Sequence, residues 1–192
     1  MTPLAPRTVT ISTDGSGTSS GPGGWAAVLR CGDQVKEISG GVAEATNNTM
    51  ELTAAIMALR CLRQPCVVEL ISDSEYLIKG ITEWVPKWKR RAWTTFEGDP
   101  VKNQNLWQEL DAEVSGHEVS LTWVAGHSGH TDNERADELA GAERRKLKGE
   151  PEPRKRKKKI FNLSGIDDEA IREALAQLPP ERLEKLRSIL AA

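Results

Sequence analysis

The sequence has few cysteines, and they follow no recognisable pattern. Cys31, Cys61 and Cys66 are an odd set, and no CxxC or CxxH spacing occurs. This spacing argues against a zinc site and against a disulfide framework. We therefore expect three reduced cysteines, mostly buried as small apolar side chains, in a cytoplasmic protein.

Long apolar runs and internal repeats are also missing. No stretch approaches the length that spans a bilayer, and the first ten residues lack the apolar core of a signal peptide. We expect no association with a membrane. The 192 residues are enough for one domain of ordinary size and a small additional unit.

A strong overall charge is the third absence. The formal net charge is −2, which does not by itself indicate a nucleic-acid binder. Residues 1–149 carry 16 basic and 20 acidic residues, whereas residues 150–192 carry 10 basic and 8 acidic ones. Any affinity for a polyanion must therefore come from a local basic patch.

Two predicted strands each end at an aspartate. Val9 and Ile11 alternate with hydroxyl residues, a period-two pattern that predicts a strand, and Asp14 lies where glycines end it. A second apolar strand, residues 67–72, is followed by Asp73. The ends of central strands are where α/β sheets place their chemistry, although an aspartate there can also simply cap a turn.

Two more acids lie near predicted helix starts. Glu51 falls in the first turns of a helix predicted over residues 48–62, and Asp137 falls about one turn inside a final helix. Four carboxylates that met at one edge of a sheet would repel each other and raise each other's pKa. Such a cluster normally implies bound divalent cations.

The motifs that carry these acids match a known family. Residues 13–16, 46–51, 72–74 and 126–137 resemble, in the same order, the motifs of type 1 ribonuclease H, the bacterial-type ribonuclease HI. The resemblance runs from about residue 7 to about residue 145. It implies an enzyme that cuts the RNA strand of an RNA/DNA hybrid.

The order of predicted elements agrees with that family's fold. We expect an α/β, ribonuclease H-like five-stranded mixed sheet, with three antiparallel strands joined to two parallel ones. Helices should cover both faces of the sheet. A C-terminal helical extension should follow this domain. The family resemblance does not cover this extension.

The resemblance implies a two-metal mechanism. Asp14, Glu51, Asp73 and Asp137 would hold two Mg²⁺ ions, with Mn²⁺ as an alternative, about 4 Å apart around the scissile phosphate. Magnesium is favoured because all four ligands offer hard oxygens. Water would attack in line and leave 5′-phosphate and 3′-hydroxyl ends.

A loop histidine completes the predicted catalytic set. A histidine in a glycine-flanked loop is usually only exposed, but beside four acids a mobile imidazole can shuttle protons. The resemblance places the family's loop histidine at His127. We assign no chemistry to His130 or Glu134.

Two loops are predicted to contact the substrate. The glycine-rich stretch after Asp14 either turns the chain or lets its amides approach a phosphate. The two asparagines before the first helix either cap it or reach the minor groove of a hybrid. The predicted contacts of these loops are Gly15, Ser16, Thr46, Asn47 and Asn48.

A basic segment rich in tryptophan is the third predicted contact. Alternating rings and cations suit nucleic-acid backbone tracking, although the tryptophans could instead anchor a protruding helix while the cations face water. The resemblance implies that this segment grips the DNA strand. Its predicted contacts are Trp84, Lys87, Trp88, Lys89, Arg90, Arg91 and Trp93.

Three regions are predicted: a catalytic domain over residues 7–148, a proline-rich and basic linker over 149–160, and a helical hairpin over 161–192. The cationic run 154–159 is either a solvated linker or an additional nucleic-acid contact. The two terminal helices are too short to be stable alone. They should dock on the catalytic domain, on a second copy or on a partner protein, while the catalytic domain itself should be monomeric.

Two other functional classes stay open at this point. A binding module for hybrids could use the same fold without catalysis. Among enzymes, transposases and junction resolvases share the acidic architecture. Against these enzymes, the chain lacks large insertions and carries the tryptophan-rich basic segment.

Overall fold

Five strands form one mixed sheet in the computed structural model, which describes residues 7–151. The strands are β1 (Arg7–Ser16), β2 (Gly23–Cys31), β3 (Gln34–Val42), β4 (Cys66–Ser72) and β5 (Glu118–Trp123). Their spatial order is β3-β2-β1-β4-β5. β1, β2 and β3 pair antiparallel, and β4 pairs parallel with both β1 and β5. The predicted mixed sheet is thus confirmed.

Five α-helices and one wide turn connect the strands. They are α1 (Asn47–Arg60), α2 (Glu75–Lys79), a π-helical turn (Gly80–Trp84), α3 (Val85–Arg90), α4 (Gln104–Ser115) and α5 (Thr131–Leu147). None of the helices within residues 7–151 is long and apolar enough to cross a membrane. The predicted helical hairpin at 161–192, the cationic run and the linker beyond residue 151 lie outside the described residues.

Helices cover both faces of the sheet, as predicted. On one face, Ile11 of β1 and Leu70 of β4 are buried in a core with Leu52 of α1 and Trp107 of α4. On the other face α5 lies directly on β2. A Cβ atom built on Gly24 would come within 2.0 Å of the Ala140 carbonyl oxygen. Only a glycine at that position therefore allows this approach.

The start of α1 differs from the prediction. We predicted a helix over residues 48–62 with the two asparagines as caps, but it runs from Asn47 to Arg60 and the asparagines are its first two residues. Thr46 is the cap, because its hydroxyl accepts from the Thr49 amide at 3.3 Å while the Thr49 hydroxyl accepts from the Thr46 amide at 2.9 Å. This reciprocal pair satisfies two backbone donors and leaves the asparagine side chains for other contacts.

The end of β1 also differs. We expected the strand to stop at Asp14, but it continues to Ser16, because β2 pairs with it as far as Gly24. The parallel pairing with β4 stops earlier, at Ser12 and Ile71. Asp14 therefore lies just beyond the point where the central parallel pair ends.

The cysteines are free thiols, and no cysteine in the described part of the chain forms a disulfide. Cys66 is buried, whereas Cys31 and Cys61 are only partly buried. At the edge of the sheet, Val119 and Leu121 of β5 pack against the core. Trp123, the last residue of β5, is 50% exposed because it lies at the end of the edge strand.

Candidate active site

Three carboxylates from three separate elements meet at one edge of the sheet. Asp14 comes from β1, Glu51 from α1, and Asp73 directly follows β4. One carboxylate oxygen from each of the three residues can be chosen so that all three oxygens lie within 4.8 Å of one another. The sheet brings Asp14 and Asp73 together, because β1 and β4 are adjacent and their parallel pairing ends at this edge.

Gly15 brings Glu51 to the same place. A Cβ atom on Gly15 would lie 2.3 Å from the Glu51 amide nitrogen and 2.6 Å from the Met50 carbonyl carbon. Backbone atoms cannot yield at such distances, so only a glycine lets the first turns of α1 abut β1. This close packing places a helix residue beside a strand-end aspartate.

Asp137 of α5 joins the same cavity from the other face of the sheet. The cavity has a volume of about 440 Å³ and is lined by all four acids. Asp137 lies nearly two turns into α5 and not one, because the helix already begins at Thr131. Its carboxylate contacts Asp14 closely enough to affect the protonation of that group.

Burial and mutual repulsion act on the cluster in the same direction. Burial, and then the charges of Asp73 and Asp137, raise the pKa of Asp14 to about 8. Burial, and then the charges of Asp14 and Asp73, raise the pKa of Glu51 well above its usual range. Asp14 therefore holds a proton near neutral pH unless positive charge enters the cavity, and the shift of Glu51 acts in the same direction.

Asp14, Glu51 and Asp73 have no cationic partner among residues 7–151. No lysine, arginine or histidine lies within ion-pair distance of Asp14, Glu51 or Asp73. Oε2 of Glu51 is buried and has no hydrogen-bond partner in this part of the chain. Hard, uncompensated carboxylate oxygens fit a divalent cation such as Mg²⁺ or Mn²⁺.

His127 lies at the mouth of this cavity. Its side chain is 82% exposed, and its Nδ1 atom is 3.9 Å from Oδ2 of Asp137. Its backbone adopts a left-handed conformation, with φ of 55°. The imidazole forms no hydrogen bond with any described residue, so no hydrogen bond fixes its orientation.

Two residues without assigned chemistry shape the histidine loop. The Glu134 carboxylate accepts a hydrogen bond from the Gly129 amide at 2.9 Å. Nδ1 of His130 accepts from the Asn133 amide at 3.3 Å and caps α5. Both therefore join the loop to the helix that carries Asp137.

The predicted loop contacts separate into two groups. Gly15, Ser16, Asn47 and Asn48 line the cavity. Asn47 also links two parts of the site, because its Oδ1 accepts from the Gly17 amide at 3.1 Å and its Nδ2 donates to Glu51 at 3.3 Å. Thr46 does not line this cavity, and its hydroxyl serves the helix cap.

The tryptophan-rich basic segment lies outside this cavity. Trp84, Trp88 and Trp93 are partly buried and form a chain of rings, with centroids 5.8 and 6.5 Å apart. Trp84 and Trp88 also pack on the buried ring of Trp107. The packing of the rings therefore agrees with the alternative interpretation, in which the tryptophans anchor a protrusion.

The cations of this segment are exposed. Lys89 forms an ion pair with Asp111 at 2.7 Å, and Arg91 stacks over Phe96 at 5.3 Å from the ring centre. Lys87 and Arg90 form no ion pair with any described residue. Contact of this segment with nucleic acid remains a prediction.

Five residues of the cavity wall were not predicted as site residues: Ser74, Glu75, Tyr76, Asn133 and Glu134. Oδ1 of Asn133 is buried without a partner in the described range. Helical spacing could have identified Asn133, because it precedes Asp137 by one turn on the same face of α5. Nothing in the sequence singles out Tyr76.

Comparisons with known proteins agree with the fold. A family model described as RNase H matches residues 6–145. A Ribonuclease H of Hahella chejuensis (strain KCTC 2396) is 58% identical over 135 residues, which are 70% of this chain and 91% of that protein.

Solved structures with the same fold include LC9-RNase H1, described as a type 1 RNase H with the type 2 active-site motif. Its TM-score is 0.68 at 29% identity, and the match covers 76% of each chain. A foamy viral protease-reverse transcriptase in complex with RNA/DNA hybrid matches with a TM-score of 0.62 at 18% identity. That match covers 74% of this chain and 21% of the viral one, and it shows the fold alone.

Proposed function

Because the chain belongs to the ribonuclease H family and is an enzyme of that class, we propose that it hydrolyses the RNA strand of RNA/DNA hybrids with two bound divalent cations. The reaction leaves 5′-phosphate and 3′-hydroxyl ends. Mg²⁺ is the proposed ion, and Mn²⁺ is the alternative. The enzyme acts in the cytoplasm, in keeping with the cysteine pattern.

The observation that carries this proposal is the uncompensated acidic cluster. Three carboxylates lie within 4.8 Å of one another, and burial with repulsion raises the pKa of Asp14 to about 8. A cluster so unfavourable to the isolated fold is retained where a cation binds. The cavity it lines is open to a phosphodiester backbone.

Asp14, Glu51, Asp73 and Asp137 would hold the cations. Cations held there would supply charge neutralisation for the scissile phosphate, activation of a water molecule and stabilisation of the departing oxygen. The carboxylates hold their positions because two lie at the end of a rigid strand pair and Asn47 supports Glu51 by a hydrogen bond of 3.3 Å.

His127 moves a proton in this proposal. Its imidazole is exposed and lies 3.9 Å from Asp137, so it can exchange a proton with solvent and carry it to the leaving 3′ oxygen. The bond from the Gly129 amide to Glu134 keeps the loop close to α5 while the side chain moves.

Selection of the hybrid is assigned to two surfaces. Gly15, Ser16, Asn47 and Asn48 line the cavity where the RNA strand would lie, and their polar groups can contact a 2′-hydroxyl. The exposed cations Lys87, Lys89, Arg90 and Arg91 would grip the DNA strand. The partly buried tryptophans would hold these cations in place and offer ring edges to the sugars.

The remaining parts of the chain also enter the proposal. Residues 7–148 form a monomeric catalytic domain, joined by the linker 149–160 to the terminal hairpin 161–192. The basic linker and the hairpin add binding to nucleic acid or to a protein partner, the latter including a second copy of the chain. Size-exclusion of the full chain beside a chain ending at residue 149 would reveal self-association as a difference in apparent oligomeric state.

A cleavage assay with four labelled substrates tests the main proposal. We expect Mg²⁺-dependent cleavage of the RNA strand of a hybrid, and none of double-stranded RNA, double-stranded DNA or single strands. Asp73→Asn should abolish cleavage, while Asp33→Asn, which changes an exposed turn residue in the same chemical way, should not. Hybrid binding without cleavage would instead indicate a binding module, and cleavage of double-stranded DNA would indicate a resolvase-like enzyme.

A further inference from the structure

Arg144 is an arginine of α5 that lacks a carboxylate partner. Its Nη1 atom donates to the hydroxyl oxygen of Ser16 at 3.2 Å. Its Nε atom is buried and has no hydrogen-bond partner within residues 7–151. No ion pair involves Arg144 in that range, although α5 carries six other charged side chains that do form ion pairs: Asp132, Arg135, Asp137, Glu138, Glu143 and Lys146.

The fold places this cation beside the acidic cavity. Arg144 follows Asp137 by seven residues, so it lies on the same side of α5, about 10 Å further along the helix axis. Ser16 pairs with Gly24 in the sheet, and a Cβ atom on Gly24 would lie 2.8 Å from the Arg144 amide nitrogen. The close approach of α5 at this glycine brings the guanidinium to Ser16.

Ser16 connects the arginine with the space that the substrate would occupy. Ser16 is one of the residues that line the acidic cavity, two residues after Asp14 on β1. Because its oxygen accepts the hydrogen bond from Arg144, the hydroxyl proton is free to donate into the cavity. The pair therefore presents a positive charge and an oriented donor, which together suit an anionic oxygen.

Arg144 does not serve to neutralise the four acids. It contacts a hydroxyl and none of the four carboxylates, so it leaves the cluster available for cations. Most of its donors remain unused by the described chain. Nη1 lies 3.2 Å from the hydroxyl of Ser16, a residue of the cavity wall, so an anion held beside Ser16 would lie close to this positive charge.

We propose that Arg144 is a substrate-positioning residue that, together with Ser16, binds a backbone phosphate of the RNA strand next to the scissile phosphate. The inference rests on the proposed function, because it needs a polynucleotide in the cavity. Arg144 takes no part in the chemical step. Its contribution is to hold the strand in register over the carboxylates.

The test uses the full chain with Mg²⁺ and a labelled hybrid at several salt concentrations. Arg144→Ala should raise KM about tenfold and change kcat less than twofold, because it removes a charge-assisted contact made before and during the reaction. The plot of log kcat/KM against log salt concentration should lose about one unit of slope, the signature of one lost phosphate contact. Arg144→Lys should keep the slope but recover only part of KM, because it keeps the charge without the planar fork.

Arg145→Ala is the matched control. Arg145 is the next residue, its Nε atom is also buried without a partner among the described residues, but its guanidinium lies over Gly141 and not at Ser16. This variant should keep the KM and the salt slope of the parent. Ser16→Ala should raise KM less than Arg144→Ala does. The double variant should have the same KM as Arg144→Ala alone.

Two results would distinguish a failure of this inference from a failure of the proposed function. If the parent cleaves the hybrid and Asp73→Asn does not, but Arg144→Ala and Arg145→Ala have equal KM and salt slope, this inference alone is wrong. If the parent does not cleave the hybrid, the proposed function fails with it. Should Arg144→Ala not fold, an unchanged KM in Arg144→Lys would also overturn the inference.

Discussion

Replacing Asp14 by asparagine should stabilise the metal-free protein. Asp14 is 6% exposed, and burial with the charges of Asp73 and Asp137 raises its pKa from 3.8 to about 8. Asparagine has nearly the same shape and cannot ionise. It therefore removes the cost of a carboxylate in this cavity while leaving the packing intact.

The sign of the pH dependence follows from proton linkage. Below about pH 4 Asp14 is protonated in both the folded and the unfolded chain, and its ionisation costs no stability. Between about pH 4 and pH 8 the unfolded chain releases this proton while the folded chain keeps it, so the free energy of unfolding falls as pH rises. At pH 7 this difference corresponds to about 4 kcal/mol, at about 1.4 kcal/mol for each pH unit.

Thermal unfolding in a chelator, followed by circular dichroism from pH 4 to pH 8, measures this effect. We expect Asp14→Asn to exceed the parent by about 3 kcal/mol at pH 7, or about 10 °C in Tm, since burying the amide has a smaller cost of its own. Near pH 4 this gain should be gone, and the variant should be less stable than the parent by the cost of the buried amide, about 1 kcal/mol. Added Mg²⁺ should raise the Tm of the parent more than that of the variant.

Asp132→Asn is the control with the opposite sign. The guanidinium of Arg30 lowers the pKa of Asp132 through two hydrogen bonds, so this carboxylate stabilises the fold at neutral pH and loses that effect as pH falls below its ordinary range. Its replacement should lower Tm at pH 7. A lower Tm for Asp14→Asn at pH 7 in chelator, or a gain independent of pH, would refute the account of the cluster.

Three other substitutions test the site. His127→Ala should lower kcat about 100-fold and leave Mg²⁺ affinity by calorimetry unchanged, whereas loss of metal binding would show that the histidine has a different role. Gly15→Ala should lower the free energy of unfolding in urea by at least about 2 kcal/mol and weaken Mg²⁺ binding, because its Cβ atom would lie 2.3 Å from the Glu51 nitrogen. An unchanged Mg²⁺ affinity would contradict the packing argument. Glu134→Ala should speed hydrogen exchange at the Gly129 amide, whose bond to Glu134 is 2.9 Å long, and slow exchange there would show that other contacts hold the loop.

Sequence periodicity was sufficient to predict the strands of the sheet and to suggest that the acids meet at one edge of it. The alternation around Ile11 and the apolar run before Asp73 predict strands because burial on a sheet has a period of two. Their end points depend on pairing with distant residues. β1 continues past Asp14 because β2 offers partners as far as Gly24, and no local signal reports such a partner.

Side-chain competition explains the other differences. Thr46, Asn47 and Asn48 are all good caps by residue type, and only the geometry shows that Thr46 pairs with Thr49. The sequence shows tryptophans among cations, but it does not show that the rings turn towards Trp107. Arg144 lies beyond the last motif, so only the approach of α5 to β2 reveals its contact with Ser16.

The π-helical turn from Gly80 to Trp84 sets the rotational phase of the segment after it. It holds Trp84 with its ring centre 5.6 Å from that of Tyr76, and the following rings continue along the same side. Deleting one residue from this turn would rotate α3 by about 100°, the angle between successive residues of a helix. Trp88 would then turn by the same angle away from Trp107, so a single deletion in this turn would break the ring contacts that anchor the protrusion.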